Sequence, residues 1–201
     1  MTDGVIKYKF DFKETQALKP MQYESIEKLR SRLYALGLIG IHEGIGYGNI
    51  SQKNSNGTFI VTGTQTGHLN SLQGEHYAFI EEYDDREFYL KSSGMIKPSS
   101  ESLTHGTIYN LHTDIKAVIH IHSQSIWKFM LQGKYLKTEN VAYGTQEMID
   151  EVNRIYRDIN PLENAKFVMS GHEDGVIIFG RTLEEAEINL YHIISEFLSI
   201  K

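Results

Sequence analysis

Lys116-Ala117-Val118-Ile119-His120-Ile121-His122 is the stretch on which the reading of this chain turns. Its β-branched residues read as a strand, where side chains alternate with a period of two. His120 and His122 therefore project from one face while Ile119 and Ile121 project from the other. Downstream, a helix starts at Ser123, a loop covers 133–143, and a helix from Thr145 turns Met148, Val152, Ile155 and Ile159 inward. Short apolar strands follow at 167–169 and 176–179. Thr182-Leu183-Glu184-Glu185 is a capping box opening a last helix, with Ala186, Leu190, Ile193 and Phe197 on one face. Upstream, a helix capped by Ser99 or Ser100 runs to about His112. Before it, two strands with Tyr77, Phe79, Phe88 and Leu90 as apolar positions flank an acidic turn over 81–87. A hairpin turn at 53–57 precedes a strand over 58–62, and 44–51 is a glycine-rich turn into a strand. A helix from Tyr23, with Ile26, Leu29, Leu33 and Leu36 at steps of three and four, has Pro20 near its start and Gly37 at its end. Strands slightly outnumber helices and several are joined by hairpins. That predicts an α/β layered domain with a largely antiparallel or mixed sheet, not a doubly wound parallel one.

With 201 residues and no low-complexity linker, the chain is read as a single domain over 1–201, with 1–19 as an N-terminal extension. Lys and Arg number 20 against 26 Asp and Glu, for a formal charge of −6, and no basic cluster occurs, so nucleic acid is not an expected partner. No apolar run approaches the roughly 18–20 residues that span a bilayer, so no membrane segment is expected. Residues 1–12 alternate polar and aromatic side chains and lack the apolar core of a secretion signal. The absence of cysteine leaves no disulfide, no thiolate-held zinc and no thiol nucleophile. A cytoplasmic protein is expected.

Three places carry possible chemistry. Two imidazoles side by side at 120 and 122 suit a borderline-soft divalent metal, but an H-x-H pair among 9 histidines can equally be two polar residues in solvent or satisfied in the core. A metal needs a third ligand, for which His172, in the turn Ser170-Gly171-His172-Glu173-Asp174-Gly175, is the best placed. Lys97-Pro98-Ser99-Ser100-Glu101 sets two hydroxyls at a helix N-terminus, an anion site in which one serine exceeds the needs of capping. His105, four residues after Glu101, is placed to orient it. Gly44-Ile45-Gly46-Tyr47-Gly48-Asn49-Ile50-Ser51 does not fit G-x-G-x-x-G and runs from a helix into a strand, which excludes a dinucleotide site. Its glycines, like Thr64-Gln65-Thr66-Gly67, can instead bring backbone amides to an oxyanion.

Taken in order, Gly-Asn-Ile-Ser (48–51), Thr-Gln-Thr-Gly (64–67), Pro-Ser-Ser-Glu (98–101), His-x-His (120–122) and the histidine turn ahead of Gly-Val-Ile resemble the class II aldolase/adducin family, in particular its L-fuculose-phosphate aldolases. The likeness covers roughly residues 20–200. It implies a three-layer α/β/α sandwich around a largely antiparallel or mixed sheet, and a homotetramer with active sites at subunit interfaces. It implies that His120, His122 and His172 bind Zn²⁺ or another divalent transition metal and that Glu101 is the acid/base. Gly48, Asn49, Thr66, Gly67, Ser99 and Ser100 would hold a substrate phosphate. Tyr143 falls where the aldolases carry a tyrosine that acts from a neighbouring subunit. The usual His-Gly at the third ligand is here a turn two residues longer.

The reaction so implied is reversible aldol cleavage of a phosphorylated ketose to dihydroxyacetone phosphate and an aldehyde. Two relatives are alternatives within the family. A sugar-phosphate epimerase typically has Ser-Ser-Asp where this chain has Ser-Ser-Glu. A methylthioribulose-phosphate dehydratase has its acid/base in a stretch that Gln146-Glu147-Met148 resembles, although a first-turn helix carboxylate explains Glu147 as well. From another class, adducin heads keep the fold as non-catalytic interaction modules.

Overall fold

The computed structural model describes residues 5–199. In chain order the first elements are β1 (Lys9–Glu14), α1 (Pro20–Ala35), β2 (Gly40–His42), β3 (Ile45–Tyr47), β4 (Asn49–Lys53), β5 (Phe59–Thr62), β6 (Tyr77–Asp84) and β7 (Tyr89–Gly94). Then follow α2 (Ser102–Leu111), β8 (Ala117–His122), α3 (Gln124–Gln132), β9 (Leu136–Lys137), α4 (Gln146–Ile155), β10 (Lys166–Val168), β11 (Gly175–Gly180) and α5 (Leu183–Ser199). Nine strands make one sheet in the order β1-β7-β6-β5-β4-β8-β11-β10-β9, and β2 with β3 forms a small ribbon beside it. The β1–β7 and β9–β10 pairs are parallel and the remainder antiparallel. This is the mixed sheet expected from the strand count and the hairpins.

The strand holding the two histidines lies at the centre, between β4 and β11, with His120 opposite Asn49 on one side and Ile177 on the other. Alternation sorts its side chains into two cores. Ala117, Ile119 and Ile121 pack with Tyr23, Ile26, Leu29 and Leu33 of α1, Ile126 and Met130 of α3, and Ala186, Leu190 and Ile193 of α5. Val118 joins the opposite core with Leu103, Ile108 and Tyr109 of α2 and Met148, Ile149 and Val152 of α4. The result is helix, sheet, helix. Each buried isoleucine is worth roughly 1.5–3 kcal/mol. A one-residue slip of β8 would exchange isoleucines for histidines, so the same burial that stabilises the layer also fixes the imidazoles on the α2/α4 side.

Three local differences from the sequence reading have tertiary causes. The helix expected from Ser99 or Ser100 begins at Ser102, with Glu101 at its N-cap. Ser99 N–H donates to the Thr62 carbonyl at 3.2 Å, so the chain turns back toward β5 before it can wind. The acidic run is mostly strand: Glu81, Glu82 and Asp84 belong to β6, with Glu81 paired to Lys91 across the hairpin at 3.2 Å. Phe88 sits in the turn at φ 51° and not in a strand. Finally, residues 9–14, read from the sequence only as part of an N-terminal extension, add an edge strand alongside β7. Among the described residues no helix is long and apolar enough to cross a membrane.

Candidate active site

His120 and His122 come from the end of β8, and His172 comes from the turn joining β10 to β11. Because β11 pairs with β8, placing Gly175 opposite His122, the third imidazole is returned to the first two. The extra residues of that turn are absorbed by Asp174 in the left-handed region at φ 66° and by the Gly175 N–H closing onto the His172 carbonyl at 2.9 Å. The longer turn therefore still delivers the ring. The three Nε2 atoms converge, at 3.0 Å for 120–122, 3.0 Å for 122–172 and 3.3 Å for 120–172. Nitrogens about 2.0–2.1 Å from a tetrahedral zinc lie about 3.3 Å apart, so the cluster has close to the right span for one ion.

Proton placement agrees with that geometry. His120 Nδ1 lies 3.2 Å from the Val176 carbonyl, which only accepts, so Nδ1 carries the hydrogen and Nε2 presents its lone pair to the cluster. Burial pushes the His120 imidazole down to about 4. Burial, and then the neighbouring His120 and His122, hold His172 well below the ordinary histidine range. Near neutrality both rings are uncharged, as ligation requires. The three histidines are the one metal-capable cluster of this kind among the described residues.

Glu101 lies beside the cluster, its Oε2 3.2 Å from His120 Nε2 and its Oε1 3.9 Å from His172 Nε2. Asn49 Nδ2 donates to the same Oε2 at 2.8 Å, which helps hold the carboxylate. Thus Asn49, expected in the phosphate cradle, uses its side chain on the carboxylate. Helical spacing placed His105 to orient Glu101, but its Nδ1 instead meets Ser51 Oγ at 2.7 Å, and that hydroxyl also meets Tyr109 OH at 2.7 Å. His105 is fully enclosed, and burial pushes its pKa down to about 3.

Above these groups opens a cleft of about 700 Å³. Of the ligand, acid/base and phosphate-binding residues that the resemblance implies, all line it except His120, which is fully buried. Gly48, Thr66, Gly67, Ser99 and Ser100 gather on the cleft wall, and among the described lining residues there is no lysine or arginine. An anion held here would rely on amides and hydroxyls. Gly67 is required by packing, since a Cβ there would lie 2.0 Å from the Gly40 carbonyl oxygen, and Gly48 by its φ of +76°. The Thr66 hydroxyl donates to Gly63 O at 3.0 Å within its own turn, and the Thr66 carbonyl accepts from the buried Arg30 at 3.3 Å.

Tyr143 lies in the cleft of its own chain, its ring centroid 4.4 Å from that of His172. The resemblance has the corresponding tyrosine reach in from a neighbouring subunit, and here the loop before α4 brings it from within. Glu147 is exposed in the first turn of α4, its carboxylate pulled below the ordinary range by the helix's own N-terminal amide and by Thr145. It does not line the cleft. Tyr47 was not anticipated. It stacks on His122 at 5.2 Å between centroids, and its two-residue offset from Asn49 across the bend at Gly48 was the only hint.

A family model described as the class II aldolase and adducin N-terminal domain matches residues 31–196. The chain belongs to this family. Among solved structures, an L-fuculose 1-phosphate aldolase superposes with a TM-score of 0.69 at 17% identity, covering 92% of this chain and 86% of its own. YgbL from Klebsiella pneumoniae, whose description leaves the choice among aldolase, epimerase and decarboxylase open, superposes with a TM-score of 0.68 at 18% identity over 90% of this chain and 87% of its own. A sugar-phosphate aldolase from Thermotoga maritima gives 0.65 at 17% identity, covering 90% and 94%. At such identities the likeness speaks for the fold. No curated protein matches the chain.

Proposed function

We propose that this protein is a metal-dependent lyase that reversibly cleaves a phosphorylated ketose into dihydroxyacetone phosphate and an aldehyde. The observation that carries this reading is the meeting of three imidazole nitrogens within 3.3 Å, with the Glu101 carboxylate 3.2 Å from one of them. His120, His122 and His172 would hold the ion, and their all-nitrogen donor set, with the His120 tautomer fixed by the Val176 carbonyl, fits zinc, with other divalent transition metals as alternatives. When bound, the ion supplies Lewis-acid stabilisation of negative charge developing on the substrate's oxygens.

The chain's own residues supply the remainder. Amides and hydroxyls of Gly48, Thr66, Gly67, Ser99 and Ser100 bind the phosphate, which places the bond to be broken over the Glu101 side of the cleft. In the cleavage direction Tyr143, entering as its phenolate, takes the proton of the substrate hydroxyl, the carbon–carbon bond breaks to release the aldehyde, and the proton passes on from the Tyr143 phenol through solvent to the Glu101 carboxylate. Glu101, kept in place by Asn49, delivers a proton to the carbon left behind, and the reverse reaction begins with Glu101 removing it. A homotetrameric cytoplasmic enzyme is part of the same reading.

The test has two parts. Elemental analysis before and after reconstitution with Zn²⁺, Mn²⁺ or Co²⁺ should find metal in the wild type and lose it in His120→Ala or His122→Ala. A screen of phosphorylated ketoses, following dihydroxyacetone phosphate, should then find turnover. Glu101→Gln should retain metal and lose on the order of 10²–10⁴ in rate. A metal-loaded wild type that cleaves no ketose would refute the lyase reading, and a metal-free protein without turnover would favour a scaffold of the adducin type.

A further inference from the structure

The segment immediately before β1 reaches two separate walls of the cleft. Lys7 Nζ donates to the Tyr143 carbonyl at 2.8 Å, and the same ammonium lies 4.4 Å from the centroid of the Tyr143 ring. One residue on, the Tyr8 hydroxyl donates to the Ser99 carbonyl at 3.0 Å, and Tyr8 is only 3% exposed. That carbonyl also accepts from Ser102 Oγ at 2.7 Å, so the serine turn is gripped from both sides. The segment is itself held, because Lys9 N–H donates to the Phe88 carbonyl at 2.9 Å and β1 then runs along β7 from Lys9 opposite Tyr89. Lys7, Tyr8 and β1 all precede residue 31, where the family match begins.

We infer that Lys7 and Tyr8 form a strap whose task is to position Tyr143 and the Ser99–Ser100 turn over the three histidines. The inference rests on the proposed function for the meaning of those two walls. Lys7 constrains Tyr143 twice. Its hydrogen bond fixes the height of the loop, and its charge over the ring face fixes the ring's tilt. A lysine left in solvent would keep its rotamer freedom, so holding one half-buried between a carbonyl and a ring is a specific arrangement. Tyr8 acts on the neighbouring wall through a neutral hydrogen bond to the backbone that aims the two serine hydroxyls. The two residues therefore govern different parts of the reaction. Lys7 acts on the group that exchanges the hydroxyl proton, and Tyr8 acts on the group that grips the phosphate. Neither residue enters the chemistry, and both are positioning residues.

The test uses the full-length, metal-loaded protein. Lys7→Met should lower kcat by tenfold or more with KM little changed, since misplacing a reacting group by about 1 Å costs on the order of 10²-fold. Lys7→Arg should restore much of that loss. Tyr8→Phe should raise KM for the phosphorylated substrate roughly fivefold, the effect of one lost hydrogen bond, with kcat little changed. Two readouts do not depend on turnover. Calorimetry with inorganic phosphate should show weaker binding for Tyr8→Phe and wild-type binding for Lys7→Met. Hydrogen exchange should quicken at 140–145 in Lys7→Met and at 98–101 in Tyr8→Phe. Wild-type exchange and phosphate affinity in both variants would overturn the strap, as would equal effects of both variants on kcat and KM. If phosphate binding responds to Tyr8→Phe yet the wild type cleaves no ketose, the strap stands and the lyase reading fails.

Discussion

At Glu101 two neighbours act on one carboxylate oxygen: the Asn49 amide donates at 2.8 Å and His120 Nε2 lies 3.2 Å away. Removing the amide should leave the metal ligands untouched and set the carboxylate loose. Asn49→Ala is therefore expected to keep its metal, by elemental analysis, and to lose roughly 10–100-fold in kcat, as misplacement of a reacting group does. A second residue-scale consequence concerns His105, enclosed and pushed down to about 3 from an ordinary 6.5. Between those values the unfolded chain takes up a proton that the folded chain refuses, so stability falls as pH drops from 6.5 toward 3 and is fully present above 6.5. His105→Gln, which can still hydrogen-bond Ser51, should flatten that decline in the metal-free protein, as read from urea midpoints between pH 7 and 4. Neither contact was legible in the sequence. Asn49 in β4 and Glu101 at the N-cap of α2 lie 52 residues apart and meet only in the folded chain, and helical spacing could not show that Ser51 would claim the His105 ring.

Among the elements, those read correctly carry their own punctuation. Ser123 accepts from Ile126 N–H at the start of α3 and Thr145 from Met148 N–H at the start of α4, both visible as caps in the sequence. The strand at 117–122 was legible because its apolar pattern and its burial agree. Where tertiary bonds compete, the local signal fails. Pro98-Ser99-Ser100 has the composition of a helix start, but the bond from Ser99 to Thr62 delays the helix to Ser102. The loop over 63–67 shows how closely one wall of the cleft is fitted, for at Gly67 a methyl would collide with the Gly40 carbonyl and approach Gly46 to 2.9 Å. Gly67→Ala should consequently destabilise the fold by several kcal/mol, as backbone collisions of this kind do, seen as a lowered urea midpoint, or should displace the loop and abolish phosphate binding.

For the whole molecule, the layered fold and most of the cleft were legible because the motifs, though scattered, each sit at a strand end or a turn beside the cleft. The edge strand β1 was not, since it gains its partner from a strand some eighty residues away and its own pattern is weak. The histidine cluster joins β8 to the β10–β11 turn, so an ion bound there would tie the centre of the sheet together. Metal binding to the folded chain alone adds stability as the logarithm of ligand over Kd, about 2.7 kcal/mol at a hundredfold excess. Stripping the metal with a chelator should lower Tm by several degrees, reversed by Zn²⁺ in the wild type and not in His172→Ala.

The pairing of β11 with β8 also orders events during synthesis. Two of the clustered imidazoles leave the ribosome some fifty residues before the third, and the third is aligned only once 175–180 has emerged to zip against 117–122. A nascent chain that has not yet released residues 172–180 thus presents two of the three imidazoles with no means of bringing in the third, so closure of the cluster must await the β11 segment.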